Sequence, residues 1–329
     1  MTTNHPILVT GGAGFIGSHL VDHLLANDES VVVVDDFSTG SIGNLHDAQA
    51  AAPERLTVLE GRVSEILPTL DPAIFTCCYH LAAAVGVRLV LEAPIATIET
   101  NVHETSAVLA FSRQAQMPTP IASTSEVYGK GTATPFSEDD DVVFGPTSSP
   151  RWSYAHSKAI DEHLAIAYNK EGLTPTLIVR FFNTVGPRQT GEYGMVLPRF
   201  VDAALEGRPL EVHGDGLQSR CFCDVRDVVP ALSKLFGSPK HFGSVFNLGS
   251  ASPITIYELA VFVRDRLKST SEIKKVPYGD DLRGGLDDMR AREPDLSRIQ
   301  DAIGFSPSID LGATVDDLAR ASEMGGLRQ

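Results

Sequence analysis

The chain has 329 residues, 43% hydrophobic and 21% charged, which is the balance of a globular protein able to bury one large core or two adjoining ones. A formal net charge of −15 sets an average field that repels nucleic acid and anionic membrane, leaving room only for a local basic pocket that takes a small anion. No apolar run approaches the ~20 residues needed to cross a bilayer, and the polar stretch Met1–Pro6 leads into a strand pattern rather than a secretion signal, so a cytoplasmic protein with no membrane partner is expected.

In chain order, Ile7–Thr10, Ser30–Val34, Leu56–Leu59, Cys77–His80, Ile121–Ser123 and Thr176–Val179 read as buried strands. Phe15–Ala26, Pro94–Gln116 and Tyr154–Lys170 read as the helices between them. Continuous Val/Ile/Leu runs alternating with helices are the signature of a parallel sheet covered on both faces. After Asn183, glycine and proline become frequent and helices are expected at Met195–Glu206, Ile256–Leu267 and Leu311–Ser322. The expected fold is therefore α/β: a Rossmann-type doubly wound sheet over residues 1–182, then a smaller substrate-binding lobe over 183–329, with parts of 217–250 (Phe222–Phe236 and Val245–Leu248) returning to the first domain.

The four cysteines, Cys77, Cys78, Cys221 and Cys223, are too few to staple a chain this long, and their C-C and C-x-C spacings lack the paired C-x-x-C of structural zinc sites. They read as buried reduced thiols, and no metal is expected.

Between the first strand and first helix lies Thr10-Gly11-Gly-Ala-Gly14-Phe15-Ile16-Gly17. Glycines at this spacing permit a tight turn and let the backbone approach a pyrophosphate, which then rests on the helix N-terminus at Phe15 and Ile16. The next strand runs into Asp35, about twenty residues on, where a carboxylate accepts hydrogen bonds from ribose hydroxyls and repels a 2′-phosphate. That selects NAD over NADP, with Asp36 the second candidate for the ribose contact.

Tyr154 and Lys158 stand four residues apart in a helical stretch, which puts both on one face. A lysine beside the cofactor ribose, together with the positive nicotinamide, is expected to lower the tyrosine pKa so that Tyr154 takes a proton from a sugar hydroxyl. Thr124, at the end of the strand before it, either hydrogen-bonds the same oxygen or simply caps the strand.

The segments TGGAGFIGSHL, YHLAAAVGV, ASTSEVYG, YAHSK, RFFNTVGPR, HGDGLQSRCF and AREPD resemble those of the extended short-chain dehydrogenase/reductases that act on nucleotide-sugars, over nearly the whole chain. The resemblance implies a catalytic triad of Thr124, Tyr154 and Lys158, NAD beside Ala82 and Phe182, a nucleotide diphosphate held by Asn183 and Arg292, and a homodimer built from paired long helices. Gly61-Arg62-Val63 departs from the family pattern, which has an acidic residue against the adenine.

Members of this family begin by oxidising the sugar at C4. Ser125 stands where dehydratases carry the aspartic acid that protonates a departing C6 hydroxyl, so dehydration is not expected. Thr124-Ser125-Glu126 is instead similar to the UDP-glucuronate decarboxylases, including UDP-xylose synthases. Glu138-Asp139-Asp140, Gly145-Pro146, Pro150-Arg151-Trp152, Arg220-Cys221-Phe222, Asp224 and Arg226-Asp227 are similar to the aminoarabinose-pathway decarboxylase. A C4 ketone lies β to the C6 carboxylate, so loss of CO2 leaves an enolate whose oxygen Tyr154 and Thr124 stabilise. Ser125 and Glu126 face the substrate in this reading. Glu126 either holds the ring, takes part in protonating C5, or is a structural carboxylate bound to a neighbouring loop. Arg220 is either a diphosphate clamp or a partner of the sugar acid.

Gly86-Val87-Arg88 is similar instead to 4-epimerases, with Arg88 either contacting a sugar carboxylate or solvated, and Val90 stands where many decarboxylases have a tyrosine. The runner-up activity is therefore UDP-sugar 4-epimerisation. A non-catalytic NAD-binding regulator is disfavoured, because it has no need of an activated tyrosine.

Overall fold

The computed structural model describes residues 5–86, 90, 92–131, 134–191, 194–277 and 289–326. Six parallel strands, β1 (Ile7–Thr10), β2 (Val31–Asp35), β3 (Leu56–Glu60), β4 (Cys77–His80), β5 (Thr119–Thr124) and β6 (Thr176–Phe181), form a sheet in the order β6-β5-β4-β1-β2-β3. The order reverses between β1 and β4, which opens a crevice at the carboxyl ends of those strands, where such sheets bind nucleotides.

Side-chain alternation decides how the sheet is covered. Ile7, Val9, Val31 and Val33 face one side, against Leu20 and Leu24 of α1 (Phe15–Ala26). Leu8, Val34 and Cys78 face the other, against Val63 of the short α3 (Val63–Ile66, after α2, His46–Ala51) and against Val108 and Phe111 of α4 (Pro94–Ser112). Next along that face, Ile121 and Ile178 pack on Leu109 of α4 and Ala165 of α5 (Ser153–Lys170). Burying one valine or leucine stabilises by roughly 1.5–3 kcal/mol, so these two apolar layers hold the strand ends in place.

The helix expected to reach Gln116 ends at Ser112. Gln116 takes the left-handed conformation (φ 49°) and Met117 N donates back to Ser112 O at 2.9 Å, a closing turn that satisfies the last free carbonyls.

Beyond β6 come β7 (Thr184–Val185), α6 (Val196–Leu205), β8 (Leu210–His213), β9 (Ser219–Cys221), β10 (Cys223–Asp224), α7 (Val225–Phe236) and β11 (Val245–Leu248). β11 pairs with β6 as a seventh parallel strand, and α7 packs Val228 and Leu232 into the same core as α1. The remaining elements are β12 (Pro253–Thr255), α8 (Ile256–Arg266), β13 (Ile273–Val276), β14 (Ala291–Arg292), α9 (Ser297–Ile303) and α10 (Leu311–Gly326). Ile299, Ile303 and Phe305 also join the core of the sheet domain.

The lobe has its own core, in which Leu197 and Val201 of α6 meet Leu259 and Val263 of α8 and Val315 and Leu318 of α10. Thr255 and Glu258 form a reciprocal capping box at the start of α8. A three-stranded sheet β12-β9-β14 faces the main sheet's carboxyl edge and carries Arg220 and Arg292 side by side in register.

All four cysteines are free and buried, and burial pushes the Cys77 and Cys221 thiols up to about 12, so they are held as inert thiols. Among the described residues, no cluster of His, Cys, Asp and Glu suits a metal ion and no helix is long and apolar enough to cross a membrane.

Candidate active site

The glycine turn after β1 is built for close approach. Gly11 has φ 71°, and a Cβ there would stand 2.6 Å from Ala82 N, two residues beyond β4. A Cβ on Gly17 would stand 2.0 Å from Gly11 O, so only glycine lets α1 begin this close to the turn. Gly14 caps α1 without a side-chain hydrogen bond, and the first turn holds no acidic residue. Its backbone N–H groups and the positive end of the helix dipole thus face the crevice, with half-buried Phe15 and Ile16 at its edge.

Asp35 closes the turn from the adjoining strand. Its Oδ2 accepts from Ala13 N at 2.8 Å and its Oδ1 from Phe37 N at 2.9 Å. Asp36 is exposed and accepts a local bond from Ser38 N at 3.0 Å, which leaves Asp35 as the buried carboxylate beside the glycine turn. These residues, a Cβ-free cradle followed by a buried carboxylate, fit a dinucleotide. Arg62, where the family pattern is broken, is drawn instead toward α4, 3.9 Å from Glu104.

Thr124 ends β5, and its Oγ1 accepts from Glu126 N at 3.2 Å, turning the chain into a single 3-10 turn, Ser125–Tyr128, in which every side chain is buried. The turn brings Glu126 to the centre of a cationic cluster. Arg292 Nη2 donates to Glu126 Oε1 at 2.8 Å, Arg151 Nη1 donates to Oε2, and the Arg220 charge also acts on the carboxylate. Burial pushes the Glu126 carboxyl up, but the charges of Arg292 and Arg151 outweigh it and bring it down to about 2. Glu126 is therefore a fixed carboxylate near neutral pH, and an ionised carboxylate is a poor proton donor. Arg220 is tied to backbone, donating Nη1 to Ser219 O at 2.7 Å and to Met289 O at 2.9 Å.

Tyr154 lies on the first turn of α5 and is buried. Burial pushes its phenol above its ordinary value, the Glu126 charge adds to this, and the neighbouring Thr124 hydroxyl works against both. Lys158 Nζ donates to Asp161 Oδ2 at 2.8 Å in a buried ion pair one helical turn from Tyr154. The lowering expected of Lys158 acting together with a positive nicotinamide concerns the protein with its cofactor bound.

Ser125 is buried beside Glu126. Phe182, after β6, is fully buried against Tyr128. Asn183 takes a left-handed backbone (φ 28°) and donates Nδ2 to Cys221 O at 3.1 Å, tying the sheet's edge to β9. Thr124, Glu126, Tyr154, Arg220 and Arg292 are thus brought to one place, with Lys158 one helical turn from Tyr154. Arg88 lies outside the described residues. A cavity of about 660 Å³ on the lobe, between Gln189 and Arg208, touches none of these groups.

Two residues that the sequence reading passed over belong to this site. Arg151 appeared only as part of a Pro-Arg-Trp similarity, yet it grips Glu126. Asp161 carried a readable signal, since a carboxylate three residues after a lysine on a helix falls on the same face.

The profile of the "NAD dependent epimerase/dehydratase family" matches residues 7–249. The chain is 39% identical over 304 residues to a UDP-N-acetyl-alpha-D-glucosaminuronate decarboxylase of Bacillus cytotoxicus, covering 92% of each chain. It is 35% identical over 310 residues to UDP-glucuronic acid decarboxylase 6 of Arabidopsis thaliana, covering 94% of this chain and 86% of that one. Among solved structures, UDP-glucose 4-epimerase of Thermotoga maritima with UDP-glucose superposes with a TM-score of 0.85 at 26% identity, over 97% of this chain and 99% of that one. The chain belongs to the NAD-dependent epimerase/dehydratase family, and NAD is its cofactor.

Proposed function

We propose that this protein is a UDP-glucuronate decarboxylase: it oxidises C4 of the sugar, releases CO2, and yields UDP-4-keto-pentose or, after reduction, UDP-xylose. The observation that carries this reading is the charge at the site. Three guanidiniums, Arg151, Arg220 and Arg292, act on the single buried carboxylate of Glu126. These guanidiniums, gathered at one place inside a chain of net charge −15, suit a ligand that is anionic at both a diphosphate and a uronate. The decarboxylase relatives support the same reading.

NAD held by the glycine turn and Asp35 would supply the hydride acceptor for oxidation at C4, and its reduced form would supply the hydride for reduction where UDP-xylose is the product. Tyr154 takes the O4 proton, and Thr124 donates a hydrogen bond to the same oxygen, which carries the developing negative charge as CO2 leaves. Glu126 acts as an ionised group that holds Arg151 and Arg292 and meets the sugar ring, while Arg220 and Arg292 take the anionic parts of the substrate. Asp35 binds the adenosine ribose, the α1 N-terminus binds the pyrophosphate, Ala82 and Phe182 flank the cofactor, and Asn183 meets the diphosphate.

The working unit in this reading is a homodimer. Ile95 and Ile98 on α4 and Ile160 and Ile166 on α5 are exposed, on two long helices packed against each other, and a second copy of the same face would cover them.

Incubating the NAD-loaded protein separately with UDP-glucuronate, its 2-acetamido analogue and UDP-glucose, with mass spectrometry of each product, tests the assignment. Loss of one CO2 from UDP-glucuronate is expected. Loss only from the 2-acetamido substrate would move the assignment to the sugar of the Bacillus cytotoxicus relative, and an isobaric product from UDP-glucose would make the protein a 4-epimerase.

A further inference from the structure

Lys158 and Asp161 form an ion pair three residues apart on α5, with side chains 2% and 0% exposed. No step of the proposed reaction uses Asp161. A carboxylate this deeply buried is costly unless it acts on a neighbouring charge, and the group it engages is the lysine behind the proposed base.

The surroundings of the pair are polar and largely uncharged. From α4, Thr105 Oγ1 stands 3.0 Å from His80 Nε2, and Asn101 Nδ2 donates to Ser157 Oγ at 3.1 Å, while Asp161 Oδ1 is buried with no hydrogen-bond partner among the described residues. From β4, His80 reaches Thr10 Oγ1 through Nδ1 at 2.7 Å; burial, and then the Lys158 charge, push His80 down to about 3, so it is neutral. Glu162, next on α5, is neutralised by Arg180 of β6, whose Nη2 stands 2.7 Å from Oε2. On the Tyr154 side the facing charges are Glu126 and Arg292. Asp161 is thus the group that offsets the Lys158 ammonium, and its own charge acts on the Tyr154 phenol against proton loss.

We infer that Asp161 is a positioning residue for proton transfer: it fixes the Lys158 ammonium and offsets its charge, and so sets how strongly that lysine acts on Tyr154. The inference rests on Tyr154 being the base, and it is independent of which sugar is turned over. Asparagine at 161 keeps an oxygen acceptor for Nζ while removing the negative charge. The lysine then acts on the phenol without offset, and Tyr154 loses its proton at lower pH.

The test is an ultraviolet titration of the phenolate in the NAD-loaded protein, read as the signal absent from Tyr154→Phe, so it needs no substrate. Asp161→Asn should move the midpoint down by about one pH unit, and the acid limb of the kcat/KM profile should move with it. Asp161→Glu keeps the charge and should hold the wild-type midpoint. Lys158→Met should move the midpoint up, and the double variant Lys158→Met/Asp161→Asn, which buries no uncompensated charge and so remains informative if the single variant fails to fold, should return toward wild type. An unchanged or raised midpoint in Asp161→Asn, or a double variant displaced as far as Lys158→Met alone, would overturn the inference. Absence of any titration lost with Tyr154→Phe would overturn Tyr154 as the base instead.

Discussion

Arg292 Nη2 lies 2.8 Å from Glu126 Oε1, a contact that joins the last short strand of the C-terminal lobe to the turn after β5 of the main sheet. The same carboxylate is gripped by Arg151, three residues before Tyr154. One side chain thereby fixes the lobe, the catalytic helix and the strand end relative to one another. Glu126→Gln keeps the shape and halves the grip. Turnover should fall by roughly a hundredfold, with nucleotide affinity changed only a few-fold, as checked by steady-state rates and calorimetry. Arg151→Met should reproduce most of that loss; wild-type turnover in both variants would remove this cluster from the mechanism.

The same residue makes a statement about acid stability. Glu126 is held at about 2 in the folded protein against an ordinary value of 4.5. A depressed carboxyl stabilises the folded state above its unfolded value, and that contribution is lost as pH falls from 4.5 toward 2. Denaturant midpoints measured through this window should fall less steeply in Glu126→Gln than in wild type, and parallel slopes would show that the ion pairs contribute nothing to the fold.

Tyr154→Phe removes the hydroxyl that takes the O4 proton and leaves the buried ring. Its turnover should drop by about 10²–10⁴ while NAD binding, measured by fluorescence quenching, stays within a few-fold. Unchanged turnover would show that another group is the base.

Asp35 offers its carboxylate at the crevice from the end of β2. Asp35→Asn should weaken NAD binding and narrow the preference over NADP by about tenfold, because the charge that repels a 2′-phosphate is gone. Paired dissociation constants for the two dinucleotides check this, and an unaltered ratio would move the ribose contact to another residue.

Much of the sheet domain was legible in the sequence because strand, turn and helix there are each written locally. The glycines at 11, 14 and 17, the apolar run into Asp35 and the long helix bearing Tyr154 all obey short-range rules. Contacts made across the chain were less readable. Arg151 and Arg292 meet Glu126 from positions 25 residues later and from the far lobe, and no local pattern announces that their charges converge. The seventh strand was legible as Val245–Leu248, whereas the joining of Ile299, Ile303 and Phe305 to the same core depends on how the lobe folds back. Lysine 158 shows the opposite limit: its spacing from Tyr154 was plain, but Asp161, which takes up its ammonium, changes what that spacing means.

The most direct measurement is turnover of UDP-glucuronate by the NAD-loaded protein in heavy water, with mass and NMR analysis of the sugar. Decarboxylation through a C4 ketone leaves an enolate that must take a solvent proton, so the expected product is a nucleotide pentose lacking CO2 and carrying deuterium at C5. A six-carbon product of unchanged mass, inverted at C4 and free of deuterium, would contradict it.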